Sequence, residues 1–284
     1  MRTGRPKKPK STGSRASGRA APSNRPDGSE GWDEYAAFYD WENARTFGRR
    51  DVAFWRGVAA RAKGPVLELG CGTGRLLMPL SRAAHGRVTG LDRSPAMLTR
   101  AAARARRVAR RLRPWLVRGD IRALPFCART FGAVIAPYGM LQSLLHDEDL
   151  EAALGSVARV LRPGGLFGID LVPDLPRWEE YRREVRLAGR TAAGARIELI
   201  ESVRQDRRRG WTIFDERFVE HRAGRRVTRA FALTFRTLPV PDIAARLARA
   251  GFRLDAVLGG YDNRPWDPRA DVWIVLARRT AARR

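Results

Sequence analysis

Residues 66–77 read VLELGCGTGRLL. Val66-Leu67-Glu68-Leu69 is a short apolar run of the kind that forms a buried parallel strand. It breaks at Gly70-Cys71-Gly72-Thr73-Gly74, and helical character resumes at Arg75. Three glycines at alternate positions leave the turn almost without side chains. Backbone can then touch a ligand and take positive φ at little steric cost. The free N–H groups of the following helix point to the same place. A dinucleotide site wants G-x-G-x-x-G, but here the third glycine falls one residue early. Taken alone, the motif also fits a tight strand–helix turn with no ligand.

The next segments repeat the strand–helix alternation of an α/β fold. Arg87 to Asp92 reads as a second strand ending in a carboxylate. An aspartate at that tip can accept both hydrogen bonds of a ribose diol. Capping of the next helix is already supplied by Ser94 and Pro95, which favours the ligand reading of Asp92. Met97, one turn on, can pack either on an adenine or on the sheet. A helix is expected through residues 95–113, its arginines without acidic partners. Trp115 to Arg118 and Phe131 to Ala136 read as the third and fourth strands, and Asp147 to Leu161 as a helix.

The order Glu68-x-Gly70-x-Gly72-x-Gly74, Asp92, Gly119-Asp120-Ile121 and Leu161-Arg162-Pro163-Gly164-Gly165 resembles the class I S-adenosylmethionine-dependent methyltransferases. The resemblance runs from about residue 32 to 279. It implies a Rossmann-like, seven-stranded, mostly parallel sheet with helices on both faces and its last strand antiparallel. It implies S-adenosyl-L-methionine as cofactor and no metal. The cofactor would be held by Glu68, Gly70, Cys71, Gly72 and Gly74 of the loop and by Asp92 and Arg93. Asp120 would meet the adenine amino group, and Ile121 would offer an apolar face. The leading helix of such enzymes folds over the cofactor, which brings Tyr39 toward it. Pro137 and Tyr138, after the fourth strand, would shape the space around the sulfonium. Tyr138 is the candidate catalytic residue, with Tyr35 and His146 as other possible bases.

Departures narrow the chemistry. Amino-group enzymes acting on DNA bases or protein glutamine carry Asp or Asn before Pro-Pro-Tyr. Here Ala136 precedes a single Pro137. Cytosine carbon-5 enzymes need a Pro-Cys nucleophile, whereas Cys127 follows Phe126.

The chain has 284 residues and net charge +25. Lysine occurs only at Lys7, Lys8, Lys10 and Lys63, so arginine carries the charge. Arginine spread through every element reads first as coding bias and second as an RNA-binding surface. Residues 1–31 contain no Leu, Ile, Val or Phe and are expected to be a disordered basic tail. Order is expected from Trp32, with one helical region over 32–64. Two cysteines and no apolar signal core or membrane-length run fit a cytoplasmic protein with no membrane partner. The expected organisation is a core over 32–172, an antiparallel β insertion over 173–238, and the rest of the core over 239–284. That insertion would be a substrate lid or a dimer contact. The expected activity is methyl transfer to O, N or C of a small-molecule acceptor. RNA methylation and a non-catalytic cofactor-binding scaffold are the alternatives.

Overall fold

The computed structural model describes residues 26–46, 49–173, 178–222 and 224–281. Three short helices, α1 (Trp32–Tyr35), α2 (Tyr39–Asn43) and α3 (Val52–Ala60), lead into β1 (Val66–Leu69). Alternation continues with α4 (Leu77–Ala83), β2 (Val88–Asp92), α5 (Pro95–Ala105), β3 (Trp115–Arg118) and β4 (Phe131–Ala136). After α6 (Asp147–Val160) and β5 (Leu161–Leu171) come four long strands: β6 (Tyr181–Arg190), β7 (Arg196–Asp206), β8 (Trp211–Arg222) and β9 (Arg225–Arg236). The chain then returns through α7 (Val240–Arg249), β10 (Phe252–Leu258) and β11 (Trp273–Arg279).

Two sheets result. The larger has seven strands in the order β10-β11-β5-β4-β1-β2-β3. Its pairings from β5 to β3 are parallel, and β11 runs antiparallel to both β10 and β5. This is the architecture expected from the sequence. β1 is buried along its whole length, and its side chains alternate between the two faces. Leu67 and Leu69 join a core with α6 and α7. Val66 joins the opposite core with α3 and α4. The smaller sheet, β6-β7-β8-β9, is an antiparallel meander. Ile197, Leu199, Phe218 and Leu233 from its inner face pack on Tyr35, Phe38 and Met97.

Several details differ from expectation. The region over 32–64 is three helices, because tertiary packing overrides local periodicity there. The break between α1 and α2 lets Phe38 stack on Phe218, with ring centroids 4.1 Å apart. α5 stops at Ala105. Arg113 then turns back to donate to the Val108 carbonyl at 3.1 Å. Its arginines are not all without acids, since Arg104 pairs with Asp40 at 2.9 Å. The β insertion expected over 173–238 contains four strands, β6 to β9. Most of the expected tail, residues 1–25, lies outside the described residues. Residues 26–31 are ordered against the molecule by polar contacts, which an absence of apolar residues does not reveal. No helix among the described residues is long and apolar enough to cross a membrane.

Candidate active site

The carboxyl ends of β1, β2, β3 and β4 open into a cavity of about 290 Å³. The glycine loop forms its floor. Gly70, Gly72 and Gly74 all take positive φ, at 61°, 52° and 78°. A Cβ on Gly72 would meet nothing nearer than Met97 Sδ at 3.9 Å, so that side of the backbone faces open space. The loop exit is clamped by a bidentate pair. Arg75 Nη1 and Nη2 donate to the two oxygens of buried Asp51, at 2.8 and 2.6 Å. Thr73 Oγ1 donates to Asp40 at 2.7 Å, which ties the loop to α2.

Asp92 stands beside the loop. Gly72 N donates to its Oδ2 at 2.7 Å, and Ser94 N donates to Oδ1 at 2.9 Å. Burial raises its carboxyl above the usual range, and these N–H donors oppose the rise. Ser94 also caps α5 by accepting from Met97 N at 3.0 Å. That cap fixes Met97 at the cavity wall.

Asp120, after β3, lines the same cavity. Burial pushes its carboxyl up, but bonds from Arg122 outweigh this and hold it low. Arg122 Nε lies 3.0 Å from both oxygens and Nη2 2.6 Å from Oδ2. Part of the acceptor capacity of Asp120 is therefore already used.

The fourth wall follows β4. Tyr138 takes φ 62°, a left-handed conformation that is uncommon for a bulky residue. Burial, helped by the charge on Glu42, pushes its phenol up to about 12. A phenol raised in this way can donate a hydrogen bond at neutral pH. Tyr39 is also held protonated, chiefly by burial. Tyr35 donates to Glu42 Oε2 at 3.0 Å. His146 lies outside the cavity lining, its Nε2 2.7 Å from the Pro26 carbonyl.

Of the sequence-derived cofactor candidates, Tyr39, Gly70, Gly72, Asp92, Arg93, Met97, Asp120, Ile121 and Pro137 line this single cavity, as does Tyr138. Glu68, Cys71 and Gly74 do not line it. Cys71 is buried behind the loop, where a Cβ on Gly90 would come within 2.8 Å of its Sγ. Gly74 gives room for packing, since a Cβ there would sit 3.4 Å from that of Ala101. Glu68 lies buried below the loop, its Oε2 without a hydrogen-bond partner.

Sequence reasoning missed a strap over the cavity. Asp27 pairs with Arg93 at 2.7 Å and with Arg122 at 3.3 Å. Burial raises the Asp27 carboxyl, but bonds from Arg93 and Ser29 dominate and lower it to about 2. Gly28, Ser29, Trp32 and Asp33 line the cavity beside it. The one available signal was Asp27-Gly28-Ser29, a turn sequence inside the supposed tail.

Residues 66–165 match the methyltransferase domain family. Over that stretch the chain is similar to methyltransferase domains. The chain is 37% identical over 153 residues to the 2-phytyl-1,4-naphtoquinone methyltransferase of Synechococcus elongatus. That match takes in 51% of this chain and 63% of the relative, so the chain spans under two thirds of its length. The CcbJ methyltransferase of Streptomyces caelestis superposes with TM-score 0.72 at 22% identity, covering 88% of this chain and 97% of that one. A sugar N-methyltransferase from a Streptoalloteichus species gives TM-score 0.68 at 19% identity, covering 95% of this chain and all of that one, 100%. At such identity these two structures speak to the fold, which extends through the four-stranded sheet.

Proposed function

We propose that this chain is an S-adenosylmethionine-dependent methyltransferase acting on a small molecule. The observation that carries the reading is convergence: Gly72, Asp92 and Asp120, distant in sequence, meet around one cavity. The cavity suits an adenosyl group. Gly72 leaves a cradle that a Cβ would fill. Asp92 would accept from the ribose hydroxyls, with Gly72 N holding its carboxylate in place. Met97 and Ile121 would flank the adenine, and Asp120 would accept from its amino group. Tyr39, Pro137 and Tyr138 would enclose the reacting end. When bound, the cofactor supplies a methyl group already activated on a positively charged sulfur.

The protein's part is then to align the acceptor and exclude water. Alignment alone can contribute roughly 7–11 kcal/mol. The four-stranded sheet, within residues 173–238, acts as the lid. Phe235 of β9 reaches the cavity wall and Phe218 packs on α2's neighbour Phe38. A small-molecule acceptor is favoured by this cover and by the quinone and sugar enzymes that the chain resembles.

Incubation with methyl-labelled cofactor and fractionated cell extract tests the proposal. Label is expected in the small-molecule fraction. Label confined to RNA would overturn the acceptor class, and no transfer to any fraction would overturn the activity.

A further inference from the structure

A second pocket, of about 520 Å³, lies between α2, α4 and the end of α5. It shares no lining residue with the cofactor cavity. Arg49, Arg75, Arg82, Arg104 and Arg107 line it, against a single carboxylate, Asp40. Two of these cations are already matched, Arg75 by Asp51 and Arg104 by Asp40. Arg49, Arg82 and Arg107 form no ion pair among the described residues. They come from three separate stretches, before α3, on α4 and just after α5, so three like charges face one hollow.

Exposed arginines alone would fit a solvated face, in a chain that is rich in arginine throughout. The floor of the pocket does not fit that reading. Asn43 lines it and is only 2% exposed. The Tyr138 phenol is near enough for Asn43 to offset part of its rise. Even so, neither Oδ1 nor Nδ2 of Asn43 has a partner in hydrogen-bond geometry. A buried amide left unmatched is costly, and an apolar side chain of the same size would serve packing better. Beneath three unpaired cations, its N–H donors suit a bound oxyanion.

The donors also narrow the anion. A guanidinium stays charged throughout the physiological range, and its planar fork matches the oxygens of a phosphate. Three arms arriving from three directions suit the three terminal oxygens of a tetrahedral group better than the two of a planar carboxylate. A water molecule takes about 30 Å³ of liquid volume, so the pocket has room for a phosphate and for a group attached to it.

We propose that this pocket binds a phosphate group, free or carried by a small molecule. Arg49, Arg82 and Arg107 donate to its oxygens, and Asn43 Nδ2 donates from below. The site is separate from the cofactor cavity and does not depend on the methyltransferase reading.

The test is calorimetric titration of the full chain with inorganic phosphate and with phenyl phosphate at constant ionic strength. Each titration is run with and without saturating S-adenosylhomocysteine. One site per chain is expected, with the same affinity in both states. The tighter of the two probes tells whether the site takes the free ion or its ester. Arg82→Gln combined with Arg107→Gln should weaken binding by about tenfold or more, the scale of one charged hydrogen bond. Arg208→Gln combined with Arg225→Gln removes the same charge from exposed turns of the four-stranded sheet and should leave the affinity unchanged. Asn43→Leu should weaken phosphate binding while raising the melting temperature of the ligand-free protein, so lost affinity is separable from misfolding. Absence of binding, or an equal loss in both paired variants, would overturn the proposal. So would competition with S-adenosylhomocysteine, which would place the anion in the cofactor cavity.

Discussion

In the seven-stranded sheet, Asp92 stands at a strand tip with a backbone N–H on each oxygen, from Gly72 and Ser94. Asp170 of β5 is fully enclosed and accepts from Gly139 N at 2.9 Å and Tyr261 Oη at 2.8 Å. Asp51 is matched by both guanidinium arms of Arg75. In the four-stranded sheet, Glu216 has one oxygen with no partner and faces Glu201 across the strand pair. The carboxylates of the larger sheet's side are thus matched by fixed N–H, hydroxyl and guanidinium donors. The smaller sheet instead buries two carboxyl groups opposite each other and leaves one of their oxygens unmatched. One wall is built by backbone geometry that the fold dictates, and the other by side chains that the fold tolerates.

The first wall can be broken at Gly72. Gly72→Val places branched carbons in the one direction left open, toward Met97 Sδ at 3.9 Å. It also puts a β-branched residue at φ 52°, a strain of about 1–2 kcal/mol. Affinity for S-adenosylhomocysteine is expected to fall by about 100-fold or more, the scale of severe overpacking. Circular dichroism should stay near native. Calorimetry showing undiminished binding would mean the ligand does not approach this loop.

Asp92→Ala should have the next largest effect. Loss of charge-assisted bonds costs about 1.5–3 kcal/mol, or roughly 10–150-fold in affinity. The geometry adds a second contribution, because Gly72 N loses the acceptor that holds the loop. Asp92→Asn separates the two, since an amide oxygen can still accept from Gly72 N. Its affinity should lie between those of the wild type and Asp92→Ala when titrated side by side. Equal affinity for all three proteins would remove Asp92 from the site.

The same contrast explains what could be read beforehand. The glycine loop, the apolar β1 and β4 and the carboxylate at the end of β2 are local signals, each set by a few adjacent residues. They located one wall of the cavity and the order of the larger sheet. The strap at Asp27 was not legible, because it is held by ion pairs to Arg93 and Arg122 rather than by apolar burial. The break between α1 and α2 depends on Phe218, far along the chain. The Glu201–Glu216 pair left a partial trace. Each falls in phase with apolar neighbours, Leu199 and Val203 in one strand, Phe214 and Phe218 in the other. Strand alternation put both on the buried face, but only the register of β7 on β8 puts them opposite each other.

Acidity sharpens the comparison with the smallest effect. Glu42 moves from an ordinary 4.5 to about 7, mainly through burial. Between those values the folded chain holds a proton that the unfolded chain has released. Its contribution to stability is full below 4.5 and disappears as pH rises through 7. Asp170, raised from 3.8 to about 6 by burial, acts with the same sign. Asp27 acts oppositely, but its contribution is lost only as pH falls from 3.8 through about 2. The melting temperature of the unliganded protein should therefore fall by a few degrees between pH 5 and pH 8. Glu42→Gln cannot titrate and should flatten that fall, whereas Asp92→Asn, on the satisfied side, should change it less. A melting temperature that rises over the interval, or a slope untouched by Glu42→Gln, would show that burial does not hold a proton on Glu42.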